Sequence, residues 1–120
     1  MALLDLVPTS PAVVTYQSEG QILDFTCLDS SNNPVTMSGM YAYRIRSFVT
    51  GGSGSASPLF ADSTSGHFTG TSGNLAYQIS AANAASIPPG SWSYIVEVQH
   101  TSGDDFQQVA AGTWLSRVSA

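Results

Sequence analysis

Positive charge is scarce in this sequence. The chain contains no lysine, and its three basic side chains other than histidine are Arg44, Arg46 and Arg117. Eight carboxylates give a formal net charge of −5. Because nucleic acids and anionic membranes are bound through clustered positive charge, the sequence predicts that this protein binds neither of them.

Cysteine and long apolar segments are equally scarce. Cys27 is the only cysteine, which excludes an intramolecular disulfide. Leu23, Phe25 and Cys27 share one face of a predicted strand, which favours a small buried side chain over a redox centre. No apolar segment reaches the roughly 18 residues of a membrane-spanning helix. The N-terminus lacks the basic start and the apolar core of a secretory signal. We therefore expect synthesis in a cytosol, and export, if any, by another route.

Charged residues of both signs make up only 9% of the chain, against about 25% in an ordinary soluble domain. Serine and threonine supply the surface polarity instead. This composition is typical of a protein held inside a larger assembly or exposed outside cytosolic conditions. With 120 residues, the chain is long enough for one domain with its own core, without help from a metal or a disulfide.

Apolar residues recur at every second position along most of the chain, which is the pattern of half-buried strands. The predicted strands lie in the segments PAVVTYQ, GQILDFTCLD, YAYRIRSFV, LFAD, GHFTG, NLAYQIS, SWSYIVEVQ and FQQVAAGTWLSRV. Turn-forming residues separate most of them. We therefore predict an all-β fold, an antiparallel β-sandwich of seven or eight short strands, with a small closed barrel as the alternative. LFAD and GHFTG are expected at sheet edges, and Gly112 at a β-bulge.

The segment SAANAASIPPG interrupts two of these alternating patterns. Its alanines suit a single helical turn with Ser80 as the N-cap. Pro88 and Pro89 prevent the helix from continuing, and Gly90 reverses the chain in a conformation that a side chain resists. We predict a crossover from one sheet to the other. The predicted core contains Phe25, Ile45, Tyr77, Trp92, Tyr94 and Val96.

Residues 1–18 form a separate segment ahead of the predicted sandwich of residues 19–120. Its large apolar side chains include Leu3, Leu4, Leu6 and Val7, and prolines bound the linker that follows. One interpretation is a first strand packed on its own domain. The other is an extended arm, whose apolar side chains on both faces bind a groove of a neighbouring subunit, and we take these four residues as candidate partner-binding residues.

Arg44 and Arg46 lie on one face of a predicted strand and form the only local positive patch. Cross-strand pairing with Glu97 or Asp24 is one interpretation. The other is an anchor to an acidic or carbonyl-rich surface of a partner subunit, so both arginines are also candidate partner-binding residues.

No motif predicts catalysis, a cofactor or a metal site. The GGSGS segment lacks the lysine of a phosphate-binding loop and is expected to be a flexible loop. The DSSNN segment lacks the glycine and distal glutamate of a helix-loop-helix calcium site. His67 and His100 are isolated, Asp104 and Asp105 are expected at a solvated hairpin tip, and no GxSxG motif occurs. We predict that the protein is not an enzyme.

Three segments, in order, resemble the small immunoglobulin-like domain of tailed-bacteriophage structural proteins: GQILDFTCLDSSNNPVTMSGMYAYRIRS, LAYQISAANAASIPPGSWSYIVEV and QVAAGTWLSRV. In that family the domain occurs at the N-terminus of upper baseplate proteins and as small virion accessory proteins. The resemblance covers about 100 of the 120 residues. Gln21 follows Gly20 where the family has an acidic residue, and residues 1–18 have no counterpart in it.

The resemblance implies an immunoglobulin-like sandwich that acts mechanically, in a homo-oligomer or a symmetric array on the virion. It implies a virion protein made in the bacterial host cytoplasm, with the major capsid protein or another virion subunit as partner. Capsid decoration is the leading function, and a tail or baseplate component is the alternative. A carbohydrate-binding module is a third interpretation, with Tyr41, Tyr43, Trp92 or Trp114 as stacking platforms.

Overall fold

The computed structural model describes residues 4–49 and 59–118. Eight β-strands and one α-helical turn account for most of these residues. Their bounds are β1 Val13–Tyr16, β2 Gln21–Thr26, β3 Ala42–Val49, β4 Phe60–Asp62, β5 Phe68–Thr71, β6 Asn74–Ile79, α1 Ala81–Ala85, β7 Gly90–Gln99 and β8 Gln107–Arg117. A 3₁₀ turn at Ser65–His67 was not predicted. The predicted glycine-serine loop lies outside the described residues.

The strands form two sheets, and the all-β sandwich prediction is confirmed. The large sheet has the order β1-β8-β7-β3-β4, and the small sheet has the order β2-β6-β5. LFAD and GHFTG supply the edge strands β4 and β5, as predicted. The prediction of a purely antiparallel arrangement was wrong in one place, because β1 pairs with β8 in parallel, from Val13 opposite Trp114 to Tyr16 opposite Arg117. Alternation along one strand cannot reveal the direction of its partner.

The predicted bulge lies at a different position on β8. Gly112 pairs regularly with Tyr94, and the register shifts between Val96 and Glu97, which face Ala110 and Gln108. The extra residue is therefore Val109. A side chain at 112 would instead be crowded by the N-terminal segment, because a Cβ atom there would lie 3.3 Å from the carbonyl oxygen of Pro11.

The core lies between the two sheets. Five of the six predicted core residues are buried: Phe25, Ile45, Tyr77, Tyr94 and Val96. Trp92 is the exception, because it lies at the start of β7, where it packs against the core but stays partly exposed. Its indole N–H donates to the carbonyl of Pro88, at 2.8 Å. The fully buried tryptophan is Trp114.

The crossover after β6 has the predicted form. The side chain of Ser80 accepts a hydrogen bond from the backbone N–H of Asn83 and caps α1. Ile87 is fully buried, and Gly90 has a φ of +145°, which a side chain resists. The chain thereby passes from the small sheet to the large sheet within eleven residues, Ser80 to Gly90.

Candidate partner-binding surfaces

The N-terminal segment lies on its own domain. The side-chain oxygen of Gln107 accepts from the Leu4 N–H, and its side-chain nitrogen donates to the Leu4 carbonyl, both at 2.9 Å. Val7 then forms an antiparallel bridge with Leu28, and Thr9 forms a parallel bridge with Ala110. The segment therefore bridges the edges of the small and large sheets before it enters β1.

The candidate partner-binding residues of this segment differ in exposure. Leu4 and Leu6 are partly buried and pack against the core. Val7 is 46% exposed, and Leu3 lies outside the described residues. In this single chain the segment packs on its own domain, as in the first-strand interpretation. Among its described candidate residues, only Val7 presents a large apolar surface.

Arg44 and Arg46 both pair with Glu97, which was one of the partners considered for them. The Nε atom of Arg44 lies 2.8 Å from Oε1 of Glu97, and an Nη atom of Arg46 lies 2.5 Å from the same oxygen. Burial raises the pKa of the Glu97 carboxyl, but the hydrogen bonds and charges of the two arginines outweigh it and lower the pKa below its ordinary value. The other considered partner, Asp24, accepts from Asn74 on the small sheet instead.

A second polar cluster, around Asp62, was not predicted from the sequence. Its Oδ2 atom accepts from the Tyr77 hydroxyl at 2.7 Å and lies 2.6 Å from Nδ1 of His67, while the Thr64 N–H donates to Oδ1. Burial raises the pKa of Asp62, but these hydrogen bonds lower it to about 2. Burial and the neighbouring carboxylate raise the pKa of Tyr77. No local sequence motif predicts this cluster, because its members come from β4, the 3₁₀ turn and its flank, and β6.

The remaining polar candidates have structural roles. The carboxylate of Asp29 accepts from the N–H groups of Ser31 and Asn33 within its own turn. Asp104 is buried, which corrects the prediction of a solvated tip, because its carboxylate accepts from the Thr101 hydroxyl. Burial raises the pKa of the Cys27 thiol to about 11. Among the described residues, no three histidine, cysteine or acidic side chains converge as metal ligands.

Two of the four aromatic residues considered as carbohydrate platforms are buried. Trp114 is fully buried and Tyr43 is 8% exposed, so neither can stack on a sugar, and this alternative loses two of its four platforms. Trp92 is partly exposed, with its N–H bound to Pro88. Tyr41 is 62% exposed and precedes β3, whereas Trp92 pairs with Val49 at the other end of that strand.

Over residues 4–49 and 59–118, no helix is both long and apolar enough to cross a membrane. No protein-family model matches the chain, and no curated protein matches it.

Proposed function

We propose that this protein is a non-enzymatic structural protein of a tailed-phage virion, an immunoglobulin-like domain that decorates the capsid by binding major capsid subunits in a symmetric array. The observation that carries the proposal is the strand order of the two sheets, taken with the three segments that resemble the phage family.

The strand order suits an immunoglobulin-like topology. If β2 to β8 are taken as strands B, C, C′, D, E, F and G, the small sheet reads B-E-D and the large sheet reads G-F-C-C′, the grouping of strands in immunoglobulin domains. Strand A corresponds to residues 7–16, which contact first the small sheet at Leu28 and then the large sheet at β8. The inter-sheet disulfide of antibody domains is missing, since Cys27 is the only cysteine.

The described polar groups favour binding over catalysis. A nucleophilic thiol would need a low pKa, whereas burial raises the pKa of Cys27 to about 11. Asp62 is held as a carboxylate by several hydrogen bonds inside the fold, which makes it a poor proton donor or acceptor near neutral pH. Glu97 is held between two guanidinium groups. Each of these groups serves the sandwich itself.

A tail or baseplate component is the alternative within the same virion, and the strand order favours neither location. The carbohydrate-binding interpretation loses support because Tyr43 and Trp114 are buried. The two candidates that keep some exposure, Tyr41 and Trp92, lie at opposite ends of the pairing between β3 and β7 and do not form one stacking platform.

The experiment is to purify phage particles from the host that produces this protein, by density gradient, and to quantify each component by mass spectrometry. The proposal predicts that the chain co-purifies in a fixed ratio to the major capsid protein. A fixed ratio to tail or baseplate proteins would support the alternative location. Complete particles that lack the chain would refute the virion function.

A further inference from the structure

Charge is divided unequally between the faces of the sandwich. Arg44 and Arg46 alternate with the buried Tyr43 and Ile45, and Arg117 follows the buried Ser116, so all three arginines lie on the outward face of the large sheet. Among the described residues of its strands, the acidic side chain on that face is Glu97, opposite Arg44. The face therefore carries a formal side-chain charge of +2, although the whole chain carries −5.

Two arginines on this face share one carboxylate. A single oxygen of Glu97 accepts from both guanidinium groups, which are only 32% and 16% exposed in their side chains. Asp62 also lines the neighbouring cavity, but its carboxylate is bound to Tyr77 and His67 between the sheets. Since partly buried positive charge is costly unless it is matched by a nearby anion, a further carboxylate on the outward side of the cavity would be bound favourably.

Arg44 is held in a geometry suited to that carboxylate. Its Nε atom is fixed by Glu97, and its guanidinium carbon lies 3.8 Å from the centroid of the Phe106 ring. Within the described residues, its Nη1 and Nη2 atoms have no hydrogen-bond acceptor. These two nitrogens form the fork that binds a carboxylate through two parallel hydrogen bonds. Glu97 and Phe106 have already restricted the side chain, so less conformational entropy is lost on binding.

A cavity of about 140 Å³ adjoins these atoms, lined by Arg44, Arg46, Ala61, Asp62 and Ser63. Its position places a bound group between the arginines and β4. The sheet face beyond it is only half-exposed and weakly charged, with Ile95, Ala111 and Leu115 pointing outward. A small apolar surface around a charged anchor is typical of the core of a protein–protein interface.

We infer that the Arg44 cavity binds an aspartate or glutamate side chain on the acidic surface of a partner protein. This rests on the proposed function and specifies the surface that it uses. Two copies meeting through this same face would bring arginines together. A different protein with an acidic, otherwise apolar surface fits the charge distribution best.

The test uses a defined probe, an acetylated and amidated pentapeptide of alternating valine and glutamate, titrated into the whole protein and followed by NMR. We expect saturable shifts at Arg44, Ala61 and Phe106. Arg44→Gln should weaken binding by about tenfold or more, since a charge-assisted bidentate pair is lost. Arg44→Lys should also weaken it, because a lysine keeps the charge without the fork.

Arg117→Gln is the matched control, because it removes the same charge from the same face but away from the cavity. It should change the affinity by less than about twofold, and a glutamine counterpart of the peptide should not bind. Equal weakening by Arg44→Gln and Arg117→Gln, or shifts away from the cavity, would overturn the inference. Concentration-dependent self-association that Arg44→Gln abolishes would overturn the choice of a foreign partner.

Occupancy on phage particles separates the role of the Arg44 surface from the virion function. Purified protein carrying Arg44→Gln should show reduced occupancy on particles that lack the chain, while Arg117→Gln restores normal occupancy. Normal occupancy with both variants would contradict the Arg44 surface and leave the virion function standing. No occupancy even with wild-type protein would contradict the function itself, whatever the peptide shows.

Discussion

At the scale of single residues, the carboxylate of Asp62, at the end of the short strand β4, has three hydrogen-bonding partners. Tyr77, Thr64 and His67 all contact it, and together they tie the edge strand β4 to the small sheet. Because Tyr77 belongs to β6, this carboxylate forms a polar link between the two sheets. Its ionisation should therefore matter for stability.

We predict that Asp62 makes stability pH-dependent in acid. Its pKa is about 2 in the folded protein, below its ordinary value of 3.8, so the unfolded chain binds the proton first as the pH falls. The contribution is complete above about pH 5 and declines as the pH approaches 2. Urea unfolding should show that the wild type loses about 1–2 kcal/mol more than Asp62→Asn between these limits. Parallel pH curves for the two proteins would contradict this.

Gly90 provides the second test at residue scale. Its φ of +145° is rarely adopted by a residue with a side chain, so Gly90→Ala should lower the free energy of unfolding by about 1–2 kcal/mol. Gly66→Ala is the control, since a Cβ atom there meets nothing within 4 Å and should change stability by less than about 0.5 kcal/mol. Equal unfolding free energies for the two variants would show that the corner does not depend on glycine.

At the scale of elements, the N-terminal segment lies against its own domain, through Leu4, Leu6 and the bridge from Val7 to Leu28. Leu6 packs against the core, whereas Val7 is 46% exposed. We predict that Leu6→Ala destabilises the folded monomer by about 1–2 kcal/mol, as expected for a partly buried leucine, and that Val7→Ala costs less than about 0.5 kcal/mol. Thermal and urea unfolding measure both. A Leu6→Ala variant as stable as wild type would show that the segment leaves its own domain in solution.

The two tryptophans test the packing of β7 against β8. Trp114 is fully buried, and Trp92 is partly exposed beside the proline corner. Acrylamide should therefore quench the fluorescence of a Trp114→Phe variant, in which Trp92 remains, much more than that of a Trp92→Phe variant. Equal quenching in the two folded variants would place the tryptophans in similar environments and contradict this packing.

The strands and the crossover could be predicted because their causes are local. Alternation marks each strand, and Ser80, the prolines and Gly90 act within a few residues of one another. The parallel pairing of β1 with β8 could not be predicted, since residues about 100 positions apart decide it. The bulge at Val109 was also missed, because it depends on how the ends of β7 and β8 align. The position of the bulge decides which residues of β8 face outward.

The candidate site was predicted only in part, for the same reason. The shared face of Arg44 and Arg46 follows from alternation in one strand, and their pairing with Glu97 was among the expectations. The stacking of Arg44 on Phe106 and the cluster around Asp62 were not predicted. Both join residues from separate elements, and their distances are set by the sheet pairing rather than by any spacing in the sequence.

At the scale of the whole molecule, the sandwich is about 43 × 27 × 25 Å, and its positive charge is confined to one face of the large sheet. A domain of this kind binds through repetition, since many weak contacts on a symmetric particle add up to stable attachment. The charge distribution predicts that attachment weakens with salt, because it depends on a partly exposed ion pair.

A cryo-EM reconstruction of the purified phage particles tests the central claim most directly. We expect density of this size and sheet arrangement at symmetry-related positions, with the Arg44 face of the large sheet against an acidic surface of the capsid subunit. Density on the tail or baseplate would retain the virion function and contradict capsid decoration. Complete, infectious particles that show no such density anywhere would contradict the account.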